Sequence, residues 1–252
     1  MEQKPLGHFL AFITILIWGT TFTSTKILLL AFTPIEILFI RFVIGYIALL
    51  LLYPKRLKIN DRRREWLFAA AGICGITLYY LLENIALTFT TASNVGIIVI
   101  IAPFFTALLA AMTWAVYSIL AKKISELGFN TIQTTRRIFF YGLLFMLPML
   151  FIMDFTLGLE RFMVKDNLFN ILFLSLGASA MCFVTWNTAV RLLGAVKTSV
   201  YIYLVPVVTV ATAVIILKEP LTDILIAGAL LTLAGLWLSE TRVFERIKKS
   251  DK

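Results

Sequence analysis

Apolar residues run along this chain in long blocks, and polar residues are gathered into short clusters between them. A bilayer core takes about 20 apolar helical residues to cross. On that measure the blocks predict helical spans over residues 8–31, 34–53, 66–88, 94–121, 132–153, 168–191, 197–217 and 221–239, eight in all, joined by connections too short for a separate soluble domain. The first block runs past Leu30 without a small-x-small cleavage site, so it reads as a retained span rather than a signal peptide. The polar clusters orient the spans. Lys55, Arg56, Lys58, Arg62, Arg63 and Arg64 precede the third span, and the short connection after it, 89–93, carries no charge. By the positive-inside rule the first faces the cytoplasm and the second does not. Lys122, Lys123, Arg136 and Arg137 mark the next inner loop, Arg191 and Lys197 another, and Arg242, Arg246, Lys248 and Lys249 the C-terminus. The expected localisation is the plasma membrane, multi-pass, with both termini cytoplasmic.

Composition agrees with the pattern. The 252 residues are 60% hydrophobic and 15% charged, against about half and a quarter in soluble domains. The predicted class is an all-α polytopic membrane protein. A net charge of +9 would point to nucleic acid in a soluble chain, but once the spans are set aside no basic domain is left over, so no nucleic-acid partner is expected. Cys74 and Cys182 both lie in apolar runs and His8 is the single histidine, which argues against a disulfide framework and a metal cluster. No cofactor is expected. With neither an HExxH nor a GxxxxGK[ST] motif, an enzyme and an ATP-driven pump are both disfavoured.

The chain also repeats itself, at two spacings. At 96, Trp18, Lys26 and Arg41 fall on Trp114, Lys122 and Arg137; at 103, Asn84, Ala86, Ala92, Pro103, Thr106 and Ala110 fall on Asn187, Ala189, Ala195, Pro206, Thr209 and Ala213. Membrane carriers are often built from two copies of one bundle, with the substrate site between them. The two repeats collide in 94–121, which would have to serve both as the fourth helix of one copy and as the first helix of the next. Its 28 residues would extend about 42 Å at 1.5 Å per residue, against a hydrocarbon core of about 30 Å. A tilted or kinked helix absorbs this, with Pro103 as the expected bend.

Within the spans, ionisable side chains carry an insertion cost of at least about 2.5 kcal/mol, so they face a cavity, a partner or an interface. Glu83, Lys26 and Glu36 lie toward the same side of the membrane. They read either as an interfacial ion-pair cluster that pins helix ends or, for Glu83, as a proton or cation-substrate site. Arg41 lies deeper and reads as a partner of Glu36 or a backbone carbonyl before a substrate contact; Arg137 reads as a topology marker. Thr14, Trp18, Thr21 and Thr25 follow helical spacing and form one polar-aromatic stripe. Mid-span tryptophan is unusual, since the residue prefers membrane surfaces. Trp18, Trp114 and Trp186, with Thr21, Tyr79, Tyr80, Tyr201 and Tyr203, therefore make an aromatic-lined cavity for a small organic solute as well as plain packing. Asn84 and Asn187 either bond helix to helix or line that cavity. Pro103 and Pro206 each remove a backbone donor and stand as hinge candidates.

Several stretches resemble the EamA-type carriers of the drug/metabolite transporter superfamily: WGTTF in the first span, PIEILFIRF in the second, ALTFTTASNVGIIVIIAPFFTALLA across the third and fourth, then MTWAVYSILAKK and AVRLLGAVKTSVYIYLVPVVTVATAVIILKEPLTDILIAGALLTLAGLWL. The resemblance implies two inverted copies of five helices and ten spans. LKEPLTDILIAGALLTLAGLWL, which follows the second proline helix, has no counterpart after the first. The gap is on the order of 40 residues, one span and parts of two others at about 20 residues per span. Adding two crossings leaves every later loop on the same side, so the charge rule does not register the loss. An eight-helix carrier, a faulty gene model and an edited sequence all fit; a truncated derivative of a ten-helix parent is the reading taken. It divides the chain into a shortened first repeat, 1–112, a second repeat, 113–240, and a basic cytoplasmic tail, 241–252. The function expected is a secondary transporter, with export as the direction, moving small organic metabolites such as amino acids or related compounds by alternating access. The alternative is a membrane protein derived from such a carrier that no longer transports. A second protomer covering the seam left by the lost helix would make it a homo-oligomer.

Overall fold

The structure, a computed structural model, describes residues 4–59, 61–89, 101–153, 155–223 and 225–234, with side chains from 106 onward in the segment that begins at 101. Helices follow the apolar runs: α1 Lys4–Leu28, α2 Pro34–Leu52, α3 Arg62–Phe89, α4 Ile101–Ser125, α5 Thr131–Ile152, α6 Lys165–Leu193, α7 Ala195–Leu217 and the shorter α8 Leu225–Ala234. Seven of these are long and apolar enough to cross a membrane. The eighth expected span is described only as far as Ala234; its last residues, like the start of the fourth, lie outside the described residues. Among the described residues no strand occurs. In lipid this is what backbone chemistry allows, since a helix satisfies its own N–H and C=O groups.

The collision of the two repeats resolves into one uninterrupted helix. Residues 101–125 of α4 pass through Ala111, Met112 and Thr113 without a break and end on Lys122 and Lys123, cations placed where the helix dipole favours them. Pro103 lies in the first described turn of α4, and the bend expected there falls at the edge of the described residues.

Two helices depart from regular α geometry at repeat-related places. A π-helical stretch occupies Ile73–Leu78 of α3 and another Phe173–Met181 of α6, and shifting the first by 103 residues lands within the second. Such widened turns are rare and concentrate at functional sites. Both lie just before the aromatic residues of their helices, Tyr79 and Tyr80 in one and Phe183 and Trp186 in the other.

Packing brings the copies together. α1 lies against α6 and α7, α2 against α5 and the π stretch of α6, and α3 against α4 and α5. Small residues make the closest approaches. At Gly19 a Cβ would come within 2.5 Å of Val208, and the Gly19 carbonyl accepts a hydrogen bond from Thr209 Oγ1 at 3.0 Å, which fixes the crossing of α1 and α7. At Gly75 a methyl would enter the buried ring of Tyr117, so α3 and α4 touch through ring against backbone.

Two of the basic segments pack against each other. Arg136 donates to the carbonyls of Tyr53 and Lys55, Gln133 to those of Lys55 and Arg56, and Arg137 pairs with Glu65, which also accepts from the Tyr141 hydroxyl. Arg137 is thus more than a topology marker: it ties the start of α3 to α5.

Replacing Gly75 by valine overfills the α3–α4 contact and is expected to lower stability by about 1–3 kcal/mol, the range for overpacked cores. Gly177→Ala, whose new Cβ meets nothing closer than 3.6 Å, is expected to hold or raise it. Thermal unfolding of the two purified variants in detergent checks the pair.

Candidate functional site

A cavity of about 390 Å³ opens between α1, α3, α4, α7 and α8, within the usual size range of small-molecule sites. Its walls follow from helical spacing. Trp18, Thr21 and Phe22 come from α1, one turn apart; Tyr79, Tyr80 and Glu83 from α3, immediately after the π stretch; Ala107, Ala110, Ala111 and Trp114 from α4 at i, i+3, i+4 and i+7. Ile202, Tyr203, Val205 and Pro206 close it from α7, and Thr232 from α8.

The aromatic wall is interlocked. Trp18 meets Trp114 edge-on with ring centroids 5.2 Å apart, and Trp186 at 5.1 Å. Tyr79 lies 4.8 Å from Trp114 and 4.7 Å from Tyr80. Trp18–Trp114 and Tyr79–Tyr80 are edge-to-face, and such pairs add about 0.5–1.5 kcal/mol beyond their burial. Trp18 is held in place by its indole N–H, which donates to the Ala178 carbonyl at 2.9 Å within the π stretch of α6. The whole Thr14, Trp18, Thr21, Thr25 stripe faces inward, each residue buried.

Glu83 is the one charged side chain among the described lining residues. It is 4% exposed, and its Oε1 accepts no hydrogen bond. Arg41 stands behind it. Fully buried, its Nε donates to Ser179 Oγ at 2.9 Å, its guanidinium lies 4.4 Å from the Tyr80 ring centroid, and neither Nη has a hydrogen-bond partner. The pairing of Arg41 with Glu36 expected from the sequence is not made.

Glu36 pairs instead with Arg161, in the connection between α5 and α6. Glu36 is fully buried, accepts from Arg161 Nη1 at 2.8 Å, from Thr156 Oγ1 at 2.7 Å and from the Thr33 backbone at 2.8 Å. Thr33 returns a bond to the Glu36 backbone, which completes a capping box at the start of α2. The hydrogen bond to Glu36 raises the Arg161 pKa above its ordinary value, so the guanidinium stays charged. Arg161 and Thr156 were not singled out from the sequence. The signal for half of this cluster was present, since Thr-Pro-Ile-Glu has capping-box spacing; the distant arginine left no local signal. Lys26 is not part of the cluster: its Nζ donates to the Leu87 carbonyl at 2.6 Å.

The remaining candidates lie elsewhere. Asn84 Nδ2 donates to the Pro34 carbonyl at 3.1 Å, and Asn187 donates to Thr135 and accepts from Tyr117. Each of these amides bonds helix to helix, and neither lines the cavity. Trp186 sits behind Trp18, and the Tyr201 hydroxyl meets His8 Nδ1 at 2.7 Å. Ala107, Ala110 and Ala111 line the cavity without having been nominated, because an alanine in an apolar run carries no signal of its own.

Comparison with known proteins decides what this bundle belongs to. The model of the "EamA-like transporter family" matches twice, over residues 5–111 and 105–241. The chain belongs to the EamA-like transporter family. It is therefore a multi-pass membrane transporter of small molecules rather than an enzyme. Two proteins of Archaeoglobus fulgidus named "Uncharacterized transporter" are similar to it. One is 24% identical over 284 residues, covering 93% of this chain and 97% of the relative; the other is 23% identical over 270 residues, covering 90% and 95%. A protein of known crystal structure, 16% identical, shares the fold with a TM-score of 0.64 over 96% of this chain and 98% of its own. Since 93% of 252 residues is about 234, about 50 of the 284 aligned positions face gaps in this chain. The two EamA matches overlap at 105–111, within α4.

The Glu36–Arg161 pair yields a stability test. Arg161→Ala leaves a buried carboxylate short of its cation and is expected to destabilise by about 3 kcal/mol, the low end for breaking a buried pair because Thr33 and Thr156 still donate. Arg161→Met combined with Glu36→Gln is expected to recover most of that loss, as read by denaturation in detergent.

Proposed function

We propose that this EamA-family protein is a secondary carrier that exports small organic metabolites, amino acids or related compounds, across the plasma membrane by alternating access, with the 390 Å³ cavity as its substrate site. One observation carries the reading. The cavity lies where the copies meet, and the repeat-related pair Trp18 and Trp114 forms its wall in direct ring contact, as expected of a carrier built from two bundles. In this reading Trp18, Thr21, Tyr79, Tyr80 and Trp114 contact substrate, with Asn84, Trp186, Asn187 and Tyr201 holding the helices behind them. Residues 1–112 and 113–240 move against each other, and Pro206, at the change from 3₁₀ to α geometry in α7, acts as a hinge together with Pro103. Both termini and the 241–252 tail lie in the cytoplasm. The packing of the basic 53–65 segment against the basic start of α5 supports a single positive face for that orientation. Glu83 couples transport to protons.

A second reading keeps the family and loses the activity. The gaps against the Archaeoglobus relatives favour it, since they are of the size expected for a missing helix and parts of two more.

Solute flux in proteoliposomes separates the two. The carrier reading expects this chain to move at least one member of a broad metabolite panel, and Ala110→Phe, which fills the cavity, to stop it. If this chain moves nothing while a version with the roughly 40 missing residues restored does, the non-transporting reading holds. Glu83→Gln is expected to abolish accumulation driven by a pH gradient; accumulation that survives it removes the coupling role.

A further inference from the structure

The described lining of the cavity has a one-sided chemistry. It contains no Lys, Arg or His and a single carboxylate, Glu83, buried and with Oε1 unpartnered. Three of the lining donors are already committed to backbone carbonyls. The Trp18 N–H is given to Ala178, the Thr21 hydroxyl to the Trp18 carbonyl at 2.6 Å and the Thr232 hydroxyl to the Gly228 carbonyl at 2.8 Å. Aromatic rings from Trp18, Tyr79, Tyr80 and Trp114 supply the rest of the wall. Ring faces attract cations through their quadrupole, most strongly where water is excluded. Arg41, the nearest buried cation on α2, lies on the Tyr80 ring with its Nε on Ser179, and is not part of the lining.

Resting on the cavity as the substrate site, we propose that within that range of small metabolites it favours an organic cation, an ammonium group on a small apolar or aromatic body such as an amine related to an amino acid, over a zwitterion or an organic anion. The ammonium sits against Glu83 Oε1 among the rings, and the apolar body lies along the alanine stripe of α4. A carboxylate on the substrate would instead place a second negative charge beside Glu83, with no cation among the described lining residues to receive it. Arg41 balances the Glu83 charge when no cation is bound. It acts on the site through Tyr80 and Glu83, so it is a positioning residue.

Isothermal titration of the full chain in lipid nanodiscs tests this with four probes of one size: benzyltrimethylammonium, whose charge is fixed, benzyl alcohol, phenylacetate and phenylalanine. Benzyltrimethylammonium is expected to bind at least tenfold tighter than benzyl alcohol and phenylalanine, and phenylacetate to show no saturable binding. Glu83→Gln is expected to bring the cation down to the alcohol, with Glu83→Asp restoring part of the preference; melting of each variant in the same nanodiscs establishes that it is folded. Equal or tighter binding of phenylacetate or phenylalanine, a cation preference that survives Glu83→Gln, or no binding by any probe overturns the proposal. Ala110→Phe is expected to abolish binding of cation and alcohol alike. Cation binding untouched by Ala110→Phe overturns the cavity as substrate site; binding lost in Ala110→Phe but indifferent to Glu83 overturns only the cation.

Discussion

The Trp18 indole has one N–H, and at the depth of a membrane span there is no water to take it. Everything around the cavity follows from where that proton goes. It goes to the Ala178 carbonyl, on a π-helical stretch whose widened turns let a side chain reach the backbone. The bond fixes the ring across the contact between α1 and α6, and once fixed the ring is held by Trp114 on one side and Trp186 on the other. A residue of the first copy is thereby locked into two helices of the second. The π stretch of α3 does the corresponding work for Tyr79 and Tyr80, placing them beside Trp114 and Phe183. The repeated irregularity in the two helices is therefore what turns their aromatic residues toward a shared interior.

Several polar side chains away from the cavity tie one helix to another. Asn84 and Asn187 bridge helices through their amides, Thr209 holds the α1–α7 crossing, and Glu36 gathers Thr33, Thr156 and Arg161. Among the described residues, five buried side-chain atoms have no hydrogen-bond partner: Glu83 Oε1, both Arg41 Nη atoms, Thr25 Oγ1 and Asn84 Oδ1. Leaving a buried donor or acceptor unpaired costs about 1–3 kcal/mol. Glu36 has donors on both carboxylate oxygens, whereas Glu83 keeps one oxygen unpartnered at the cavity wall.

The spans and the clustering of basic loops were legible from the sequence, because hydrophobic run length and charge placement are local properties. So was the α1 stripe: Thr14, Trp18, Thr21 and Thr25 share a helical face, and lipid forces a polar face inward. What was not legible depends on residues distant in sequence. Arg161 lies 125 positions from Glu36, and nothing near Arg161 distinguishes it from other loop arginines. Arg41 was expected to take the nearest carboxylate and took a serine on α6 instead, because the π stretch brings Ser179 under it. The alanines of α4 matter by leaving space, and space has no signature in a single sequence.

Helix α4 carries the overlap of the two family matches and presents one continuous face to the cavity. Ala107, Ala110 and Ala111 fall where the two family matches overlap and Trp114 lies in the second alone, and all four lie on one face at i, i+3, i+4 and i+7. Joining two helices preserves such a face only when the join keeps helical phase. One residue more or fewer at the junction would turn Trp114 by about 100°, taking its ring away from Trp18 and Tyr79. The observed phase leaves all three rings in contact and the small residues opposite the space they enclose. A join made without regard to the interior would have to meet this condition by chance, at about one register in four for a helix of 3.6 residues per turn.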